Sequence, residues 1–243
     1  MSNLELNIRV LSHAGEMNPE MAKDKVVVVI DVLRATSVML TALNNGVKRI
    51  FPYSDIDEAR CFFSNLKEKD KLLCGERAAE RPYGFDLGNS PLDYKKAVVQ
   101  NKLMVMTTSN GTRAIQNSEG ARKLYIGAYL NLEALVEVLL NSNSSEIILL
   151  CSGTQNRFSL DDALCAGAII RRLQNKVKCN VDDLGSFIVS SLPEKDEDVI
   201  HQMSECMHYN LLKSKSLDKD LVYCFSVDKI QLVPEFKNGF VTI

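Results

Sequence analysis

Residues 26–40 read VVVVIDVLRATSVML, and this stretch predicts the central unit of the fold. Its first five residues, Val26–Ile30, are β-branched and apolar at every position, which is typical of a strand covered on both faces. Residues 36–45 then carry apolar side chains at helical spacing. A single acid, Asp31, stands where the strand pattern stops. Taken alone, Asp31 could cap the following helix or pair with Arg34.

The same alternation of strand and helix patterns continues on both sides of this unit. Further strand patterns occupy residues 4–10, 47–53, 71–74, 102–106, 124–127, 147–151, 231–234 and 240–243. Ser54 and Ser159 are predicted helix caps, the latter in a capping box with Asp162. The alternation predicts an α/β fold, layered α/β/α around a mixed or largely parallel sheet. We expect residues 1–243 to form one compact unit, with two intertwined lobes divided near 110–150 as the alternative.

Composition narrows the class of protein. The chain has 243 residues, of which 46% are hydrophobic, so it can build a sizeable core. The net charge of -2 argues against a nucleic-acid binder, and no apolar run is long enough for a membrane span. Seven cysteines without a C-x-x-C pair, and no signal peptide, lead us to expect a reducing cytoplasm. A homo-oligomer is left open.

Small polar residues cluster where three predicted strands end. Ligands of open α/β sheets bind beyond the carboxyl ends of the strands. Hydroxyls, glycines and free amides at a helix start form a cradle for anions, and an arginine can bind two oxygens at once. The candidates are Asp31, Arg34, Thr36 and Ser37 after the first strand, Thr108, Ser109, Asn110, Gly111, Thr112 and Arg113 after the second, and Ser152, Gly153, Thr154, Asp161 and Asp162 after the third.

A fourth segment, CGERAAERPYGFDLGNSP at residues 74–91, is polar, lacks periodicity and is fixed by glycine and proline, as functional loops often are. Its candidate residues are Glu76, Arg77, Asp86, Asn89 and Ser90.

Each segment also has a plainer structural interpretation. Residues 109–112 could form an ordinary turn with a helix cap, and His13, His201 and His208 have no spacing typical of a metal site or a triad. The chain lacks the P-loop, G-x-G-x-x-G and G-x-S-x-G motifs. An Asp at a strand end is also found in the haloacid-dehalogenase phosphatases. Those enzymes place a second Asp two residues later, where this chain has Leu33, so the chain is a poor match to them.

Together these segments resemble the 2-phosphosulfolactate phosphatase family of coenzyme M biosynthesis. The matching blocks are VVVVIDVLRATSVMLTALNNG, CGERAAERPYGFDLGNSP, TTSNGTRA and LLCSGTQNRFSLDDALCAGAII, in the family's order over roughly residues 25–172. The later stretch DLVYCFSVDKIQLVPEF is also similar to the family's ending. GFDLGNSP and TTSNGTRA are the specific blocks.

The resemblance implies a magnesium-dependent acid phosphatase that hydrolyses (2R)-2-phospho-3-sulfolactate to 3-sulfolactate and phosphate. The implied metal ligands are Asp31, Glu76, Asp86, Asp161 and Asp162. The implied catalytic residues are Asp31, Arg34, Asn110 and Thr112. The implied contacts to a small anionic phosphoester are Thr36, Ser37, Arg77, Asn89, Ser90, Thr108, Ser109, Gly111, Arg113, Ser152, Gly153 and Thr154.

Two mechanisms stay open at this point. Asp31 could attack phosphorus and form an aspartyl-phosphate, or it could hold Mg²⁺ while a bound water attacks. Two rival functions also stay open: a phosphatase of the same fold with another small phosphorylated acid as substrate, and a binder of sulfonates or phosphates without catalysis.

Overall fold

Ten strands form one mixed sheet in residues 5–243, the part of the chain that the computed structural model describes. Leu4, which the alternating pattern also placed in the first strand, lies outside the described residues. The strands are β1 (Glu5–Leu11), β2 (Val26–Ile30), β3 (Arg49–Tyr53), β4 (Lys71–Gly75), β5 (Leu103–Thr107), β6 (Lys123–Gly127), β7 (Glu146–Cys151), β8 (Lys178–Val181), β9 (Glu235–Lys237) and β10 (Phe240–Thr242).

Helices cover the sheet on its faces and edges, which confirms the predicted α/β class. The helices are α1 (Pro19–Ala22), α2 (Ala35–Asn44), α3 (Ile56–Asn65), α4 (Lys96–Val99), α5 (Gly111–Asn117), α6 (Leu132–Leu140), α7 (Leu160–Gln174), α8 (Asp183–Ser190), α9 (Met207–Ser214) and α10 (Asp218–Cys224). Short 3₁₀ segments lie at Ala14–Glu16, Pro91–Asp93, Tyr129–Asn131 and Asp196–Glu205.

The sheet consists of two parallel groups joined by an antiparallel hairpin. Its strand order is β4-β5-β3-β10-β9-β6-β2-β7-β1-β8. Strands β4, β5 and β3 are parallel to one another, as are β6, β2, β7, β1 and β8. The three pairings through β10 and β9 are antiparallel, so the two groups run in opposite senses. That all of residues 1–243 form a single unit stays a prediction.

Strand β2 lies in the interior, as its sequence predicts. All five residues of Val26–Ile30 are buried. Alternate side chains serve opposite faces: Val26, Val28 and Ile30 pack into one hydrophobic cluster, and Val27 and Val29 into the other. Each fully buried valine stabilises the fold by about 1.5–3 kcal/mol. Because β2 pairs with β6 and β7 on its two sides, its backbone is also fixed, and Asp31 is held at a defined position.

Two local predictions were wrong. The cap of α3 is Asp55 rather than Ser54, because the Asp55 carboxylate accepts the N–H groups of Asp57 and Glu58. The strand predicted at residues 231–234 lies slightly later, at Glu235–Lys237, where it pairs with β10. None of the helices in the described part of the chain is long and apolar enough to cross a membrane.

Candidate active site

A cleft of about 100 Å³ lies where the segments after β2, β4, β5 and β7 meet. The predicted site residues that line it are Asp31, Arg34, Glu76, Asn89, Ser109, Asn110 and Thr154. These residues come from all four motif segments. The structure therefore brings together polar groups that are spread over more than a hundred residues of sequence.

Asp31 is buried at the floor of this cleft and is fixed by the start of α2. Its Oδ1 accepts the Ala35 N–H at 2.9 Å, and its backbone is bonded to Thr36 through both N–H and C=O. No described donor reaches the other carboxylate oxygen, Oδ2. Burial raises the pKa of Asp31 to about 6, opposed by the Ala35 N–H and by His208 and reinforced by nearby carboxylates. Asp31 therefore caps α2 with one oxygen and offers the other to the cleft.

Gly111 explains how the second motif reaches Asp31. Helix α5 packs against β2 and α2 although β5 lies several strands away in the sheet. A Cβ atom at Gly111 would lie 2.7 Å from Asp31 Oδ2 and 2.6 Å from the Ala35 Cβ. Only a residue without a side chain permits this approach. The glycine of TTSNGTRA thus lets the start of α5 contact the free side of Asp31.

Asp162 fixes two loops around the cleft. Its Oδ1 accepts the Val32 N–H at 2.8 Å, and its Oδ2 accepts the Gly153 N–H at 3.0 Å. Burial raises the pKa of Asp162 well above its usual range, and the charges of Asp161 and Asp31 add to this while the two N–H groups oppose it. The predicted capping box with Ser159 is wrong, because the Asp162 carboxylate binds the ends of β2 and β7 instead.

We expect Asp162→Asn to destabilise the protein by about 1–3 kcal/mol, because an amide NH₂ would face a backbone N–H that needs an acceptor. Denaturant unfolding monitored by circular dichroism measures the change. A free energy of unfolding equal to that of the wild type would contradict the structural role of Asp162.

Asp161 has an unused oxygen next to the cleft. Its Oδ1 accepts the Ser159 hydroxyl at 2.5 Å, whereas its Oδ2 is buried without a hydrogen-bond partner among the described residues. The Nδ1 atom of His208 lies 3.8 Å from Oδ2. An unsatisfied buried carboxylate oxygen is costly, and it indicates a place where a donor or a cation can bind.

Glu76 holds two segments at the rim of the cleft together through hydrogen bonds. Its Oε2 accepts the Ala79 N–H and its Oε1 accepts the Ser109 N–H, each at 2.8 Å. The turn that it holds has two consecutive residues at positive φ, Ala78 and Ala79, and a second turn of the same kind contains Gln155 and Asn156. Both turns are closed by a bridge between their ends, as in type I′ hairpin turns. Backbone in this conformation is unfavourable for residues other than glycine, so tertiary contacts must hold it.

Arg34 is buried and forms an ion pair with a residue that the sequence analysis did not single out. Its Nη1 donates to Asp220 Oδ2 at 2.6 Å, and both side chains are 4% exposed. Asp220 lies on α10, and its other oxygen accepts the Ser90 hydroxyl at 2.7 Å. Next to Ser90, the Asn89 side chain lines the cleft, and its Oδ1 is buried without a partner in the described residues.

Several predicted contact residues support the cleft from behind. The hydroxyls of Thr36, Ser37, Thr108 and Thr112 bond to nearby backbone groups or to each other. Arg77 donates to the Glu76 and Ser54 carbonyls and to Thr107, and Arg113 donates to Asn156. The Ser152 hydroxyl is fully buried and unpaired among the described residues.

Of the predicted metal ligands, Asp161 and Asp162 are buried near Asp31 without lining the cleft, and Asp86 lies outside the cleft. It is exposed, and its Oδ2 accepts the Leu73 N–H at 2.8 Å. Its role visible here is to fasten the GFDLGNSP loop to β4.

The cleft also contains residues that sequence reasoning missed. His208, Leu211 and Leu212 of α9 form one wall of it. The spacing of His208 in the sequence is not typical of a metal site and predicts a structural or surface role. Its place in the cleft depends on how the segment after α8 folds back, which no local motif signals. The exposure of Leu211 at the cleft mouth is likewise a tertiary feature.

Within the described residues, no three His, Cys, Asp or Glu side chains form a ready-made metal cluster. The acids of the site nevertheless fall into two groups, according to whether both carboxylate oxygens accept hydrogen bonds. Glu76 and Asp162 use both oxygens on backbone N–H groups, whereas Asp31 and Asp161 each have one oxygen without a described donor. Mg²⁺ commonly takes only one or two protein carboxylates and fills its remaining positions with water and substrate. The free oxygens of Asp31 and Asp161 fit that requirement.

An α/β sheet whose loops bring acids and an arginine into one cleft is suited to phosphoester chemistry. The family model for 2-phosphosulpholactate phosphatase matches residues 12–239 of this chain. Curated relatives described as probable 2-phosphosulfolactate phosphatases include proteins from Clostridium beijerinckii, 36% identical over 98% of this chain and 99% of the relative, and Clostridium acetobutylicum, 39% identical over 96% and 99%. A third, from Clostridium perfringens, is 40% identical over 96% of this chain and 95% of the relative. The chain therefore belongs to the 2-phosphosulfolactate phosphatase family and is a phosphatase of that family.

Proposed function

We propose that the protein hydrolyses (2R)-2-phospho-3-sulfolactate to 3-sulfolactate and phosphate, and that it requires Mg²⁺. Membership of the 2-phosphosulfolactate phosphatase family supports the substrate, and the cleft supports the need for a cation. The single observation on which the proposal rests is the cleft's charge. A site for a phosphoester that is itself rich in acids must obtain positive charge from elsewhere.

The charge of the cleft follows from its lining. Asp31 and Glu76 line it, and the buried carboxylates of Asp161 and Asp162 lie near Asp31. The guanidinium of Arg34 is the main opposing charge, and Asp220 already offsets it. A substrate that carries phosphate, carboxylate and sulfonate would be repelled by this arrangement at short range. A bound divalent cation reverses that repulsion.

Asp31 and Asp161 are the residues proposed to hold Mg²⁺, through the oxygens that lack described donors. When bound, Mg²⁺ would supply positive charge to the phosphoryl oxygens and lower the pKa of a coordinated water. Asp31 would either present its free oxygen to the ion or attack phosphorus itself. The first role is favoured here, because several acids are present and Asp31 Oδ1 is already committed to the Ala35 N–H.

The remaining residues bind and orient the substrate. Arg34 has Nη2 and Nε without a described acceptor and can bind two oxygens of the phosphoryl group. The unpaired carboxamide of Asn89 can meet a further oxygen. Asn110 lies at the start of α5, and Ser109 beside it donates its N–H to Glu76, which fixes that rim. Thr112 bonds to Thr108 and thereby holds the first turn of α5 in place.

A panel of phosphorylated 2-hydroxy acids tests the substrate. We expect the largest kcat/KM for (2R)-2-phospho-3-sulfolactate, complete loss of phosphate release in EDTA, and recovery on adding Mg²⁺. A higher kcat/KM for an ester without the sulfonate would favour the alternative phosphatase with another small acid. Binding of sulfolactate or phosphate without any release of phosphate would favour the non-catalytic binder.

Asp161→Asn and Asp86→Asn form a matched pair for the metal site. We expect Asp161→Asn to raise the Mg²⁺ concentration for half-maximal activity by about tenfold or more, because an amide is a poor ligand for this ion. Asp86→Asn should leave that concentration unchanged, since Asp86 lies outside the cleft and an amide oxygen can still accept the Leu73 N–H. Equal Mg²⁺ requirements in the two variants would contradict the assignment of Asp161.

We further propose a cytoplasmic protein that takes part in coenzyme M biosynthesis. All seven cysteines are free thiols, which supports a reducing compartment. The expectation of no nucleic-acid partner rests on the net charge of -2. A homo-oligomer is compatible with exposed apolar side chains such as Phe187 and Val222.

A further inference from the structure

We infer that Asp220 is a positioning residue that acts through Arg34 on phosphoryl binding, an inference that rests on the proposed phosphatase function. Asp220 lies on α10, 186 residues after Arg34, and is 3% exposed. Both of its oxygens are used: Oδ2 accepts from Arg34 Nη1 at 2.6 Å, and Oδ1 accepts from Ser90 Oγ at 2.7 Å. One carboxylate from a late helix therefore holds two segments of the cleft.

Stability alone is a weak reason for this arrangement. A buried ion pair often contributes little net stability, because removing both charges from water costs about as much as their attraction returns. The functional value of the pair therefore depends on which N–H donors of Arg34 remain free for a substrate. A guanidinium has five N–H donors, and Asp220 binds only Nη1. Nε and Nη2 of Arg34 have no described acceptor, and the side chain lines the cleft beside Asp31.

Orientation decides whether those donors can bind a phosphoryl group in pairs. A guanidinium is planar, and two parallel hydrogen bonds to phosphate require the two oxygens to lie in its plane, beside an edge that carries two N–H groups. The Asp220 contact fixes one end of that plane. Without it, the Arg34 side chain would be free to turn towards the acids of the cleft, where it would neutralise a carboxylate rather than bind substrate.

The contact to Ser90 extends the same control to Asn89. Ser90 directly follows Asn89, whose carboxamide oxygen is buried in the cleft lining without a described partner. A shift of the Ser90 backbone would move that carboxamide. Asp220 thus links the position of Arg34, after β2, to that of Asn89, in the GFDLGNSP loop.

The test is a double-mutant cycle of Asp220→Asn and Arg34→Ala, measured by kcat/KM for phosphate release and, separately, by the affinity for inorganic phosphate in calorimetry. We expect Asp220→Asn to lower both quantities by about 10- to 100-fold in the wild-type background. In the Arg34→Ala background, the same change should lower them by less than about threefold, because Asp220 then has no guanidinium to orient. Free guanidinium should restore part of the activity of Arg34→Ala.

Asp196→Asn is the control for a merely structural loss. Asp196 pairs with Arg171 and Arg172 away from the cleft, and its side chain is largely buried. We expect this variant to melt at a lower temperature and to keep the wild-type kcat/KM. Should Asp220→Asn fail to fold, Ser90→Ala removes a single bond to the same carboxylate. We expect a smaller loss that is only partly retained in the Arg34→Ala background, because the Ser90 bond also positions Asn89. A loss by the same factor in both backgrounds would contradict an action through Arg34.

The outcomes separate this inference from the proposed function. If Asp220→Asn lowered kcat/KM and phosphate affinity by the same factor with and without Arg34, the positioning role would be overturned. Wild-type kcat/KM and phosphate affinity in the single variant would also overturn it. A wild-type protein that binds phosphate but hydrolyses no ester would remove the proposed function, and coupling in phosphate affinity would still support the positioning role. A wild-type protein that binds no phosphate would overturn both.

Discussion

Asp31→Asn should give a protein that is more stable than the wild type at neutral pH and almost inactive. The amide keeps an oxygen for the Ala35 N–H, so α2 stays capped. It also removes a buried charge. The rise of the Asp31 pKa from 3.8 to about 6 corresponds to about 3 kcal/mol of destabilisation when the carboxylate is ionised. Activity should fall by about 10³-fold or more, because an amide neither attacks phosphorus nor binds Mg²⁺ well.

The pH dependence tests the stability part of this expectation. Because the folded protein favours protonated Asp31, ionisation of Asp31 lowers the stability of the wild type as the pH rises from about 4 through 6, and Asp31→Asn lacks this contribution. Thermal unfolding in EDTA should therefore show the largest gap between the two proteins above pH 6, and the gap should shrink as the pH falls towards 4. A gap that widens on acidification would contradict the raised pKa.

Activity of the same variant in excess Mg²⁺ distinguishes the two roles of Asp31. Partial recovery indicates a metal ligand, since mass action can compensate for weaker binding. No recovery favours a nucleophile. A folded Asp31→Asn protein with an unchanged kcat would remove Asp31 from the reaction altogether.

Gly111→Ala should reduce activity by about 100-fold although it adds only a methyl group and lies outside the set of charged residues. The new Cβ would lie 2.7 Å from Asp31 Oδ2, so either α5 or the carboxylate must move. A displacement of about 1 Å at a reacting group is enough for a loss of this size. The overpacking should also lower the free energy of unfolding by about 1–3 kcal/mol.

Gly88→Ala provides the control for this substitution. A Cβ at Gly88 would meet the Arg81 Cβ at 3.5 Å, which is an ordinary contact. Gly88 lies in the block GFDLGNSP, so it is also a glycine of a family-specific motif. We expect Gly88→Ala to keep most of the activity. Comparable losses in the two variants would mean that the glycines serve backbone flexibility rather than the approach of α5 to Asp31.

The sequence predicted the strands well where the pattern was continuous and local. Val26–Ile30 is buried throughout, as a five-residue apolar run requires, and Asp31 stands at its end in the cleft. The role of Asp162 was misjudged for a physical reason. A capping box and a carboxylate that binds remote backbone have the same local sequence, and Val32, the partner of Asp162, is 130 residues away.

The C-terminal contributions to the site could not be predicted from local pattern. His208 lies in a helical segment without a motif, and Asp220 begins the stretch DLVYCFSVDKIQLVPEF, whose local pattern predicts no site residue. Only the folded chain brings these two residues to Asp161 and Arg34. For Arg77 and Arg113, by contrast, the sequence predicts anion contacts, but in the structure these side chains bond to protein groups. Their sequence context is suitable, but Arg77 donates its hydrogen bonds to carbonyls and Thr107 and Arg113 donates to Asn156.

The hairpin β9–β10 has a consequence for how the protein is made. It lies in the middle of the sheet, between β3 and β6, yet residues 235–242 follow every other described strand in the chain. While the ribosome is still producing that segment, β3 and β6 each lack a neighbour on one side and present an open edge of backbone N–H and C=O groups to solvent. Such edges are templates for pairing with other chains. The last of the described strands to be synthesised must therefore join two older halves of the sheet. This long-range step is slow in folding and exposes the nascent chain to aggregation until it is complete.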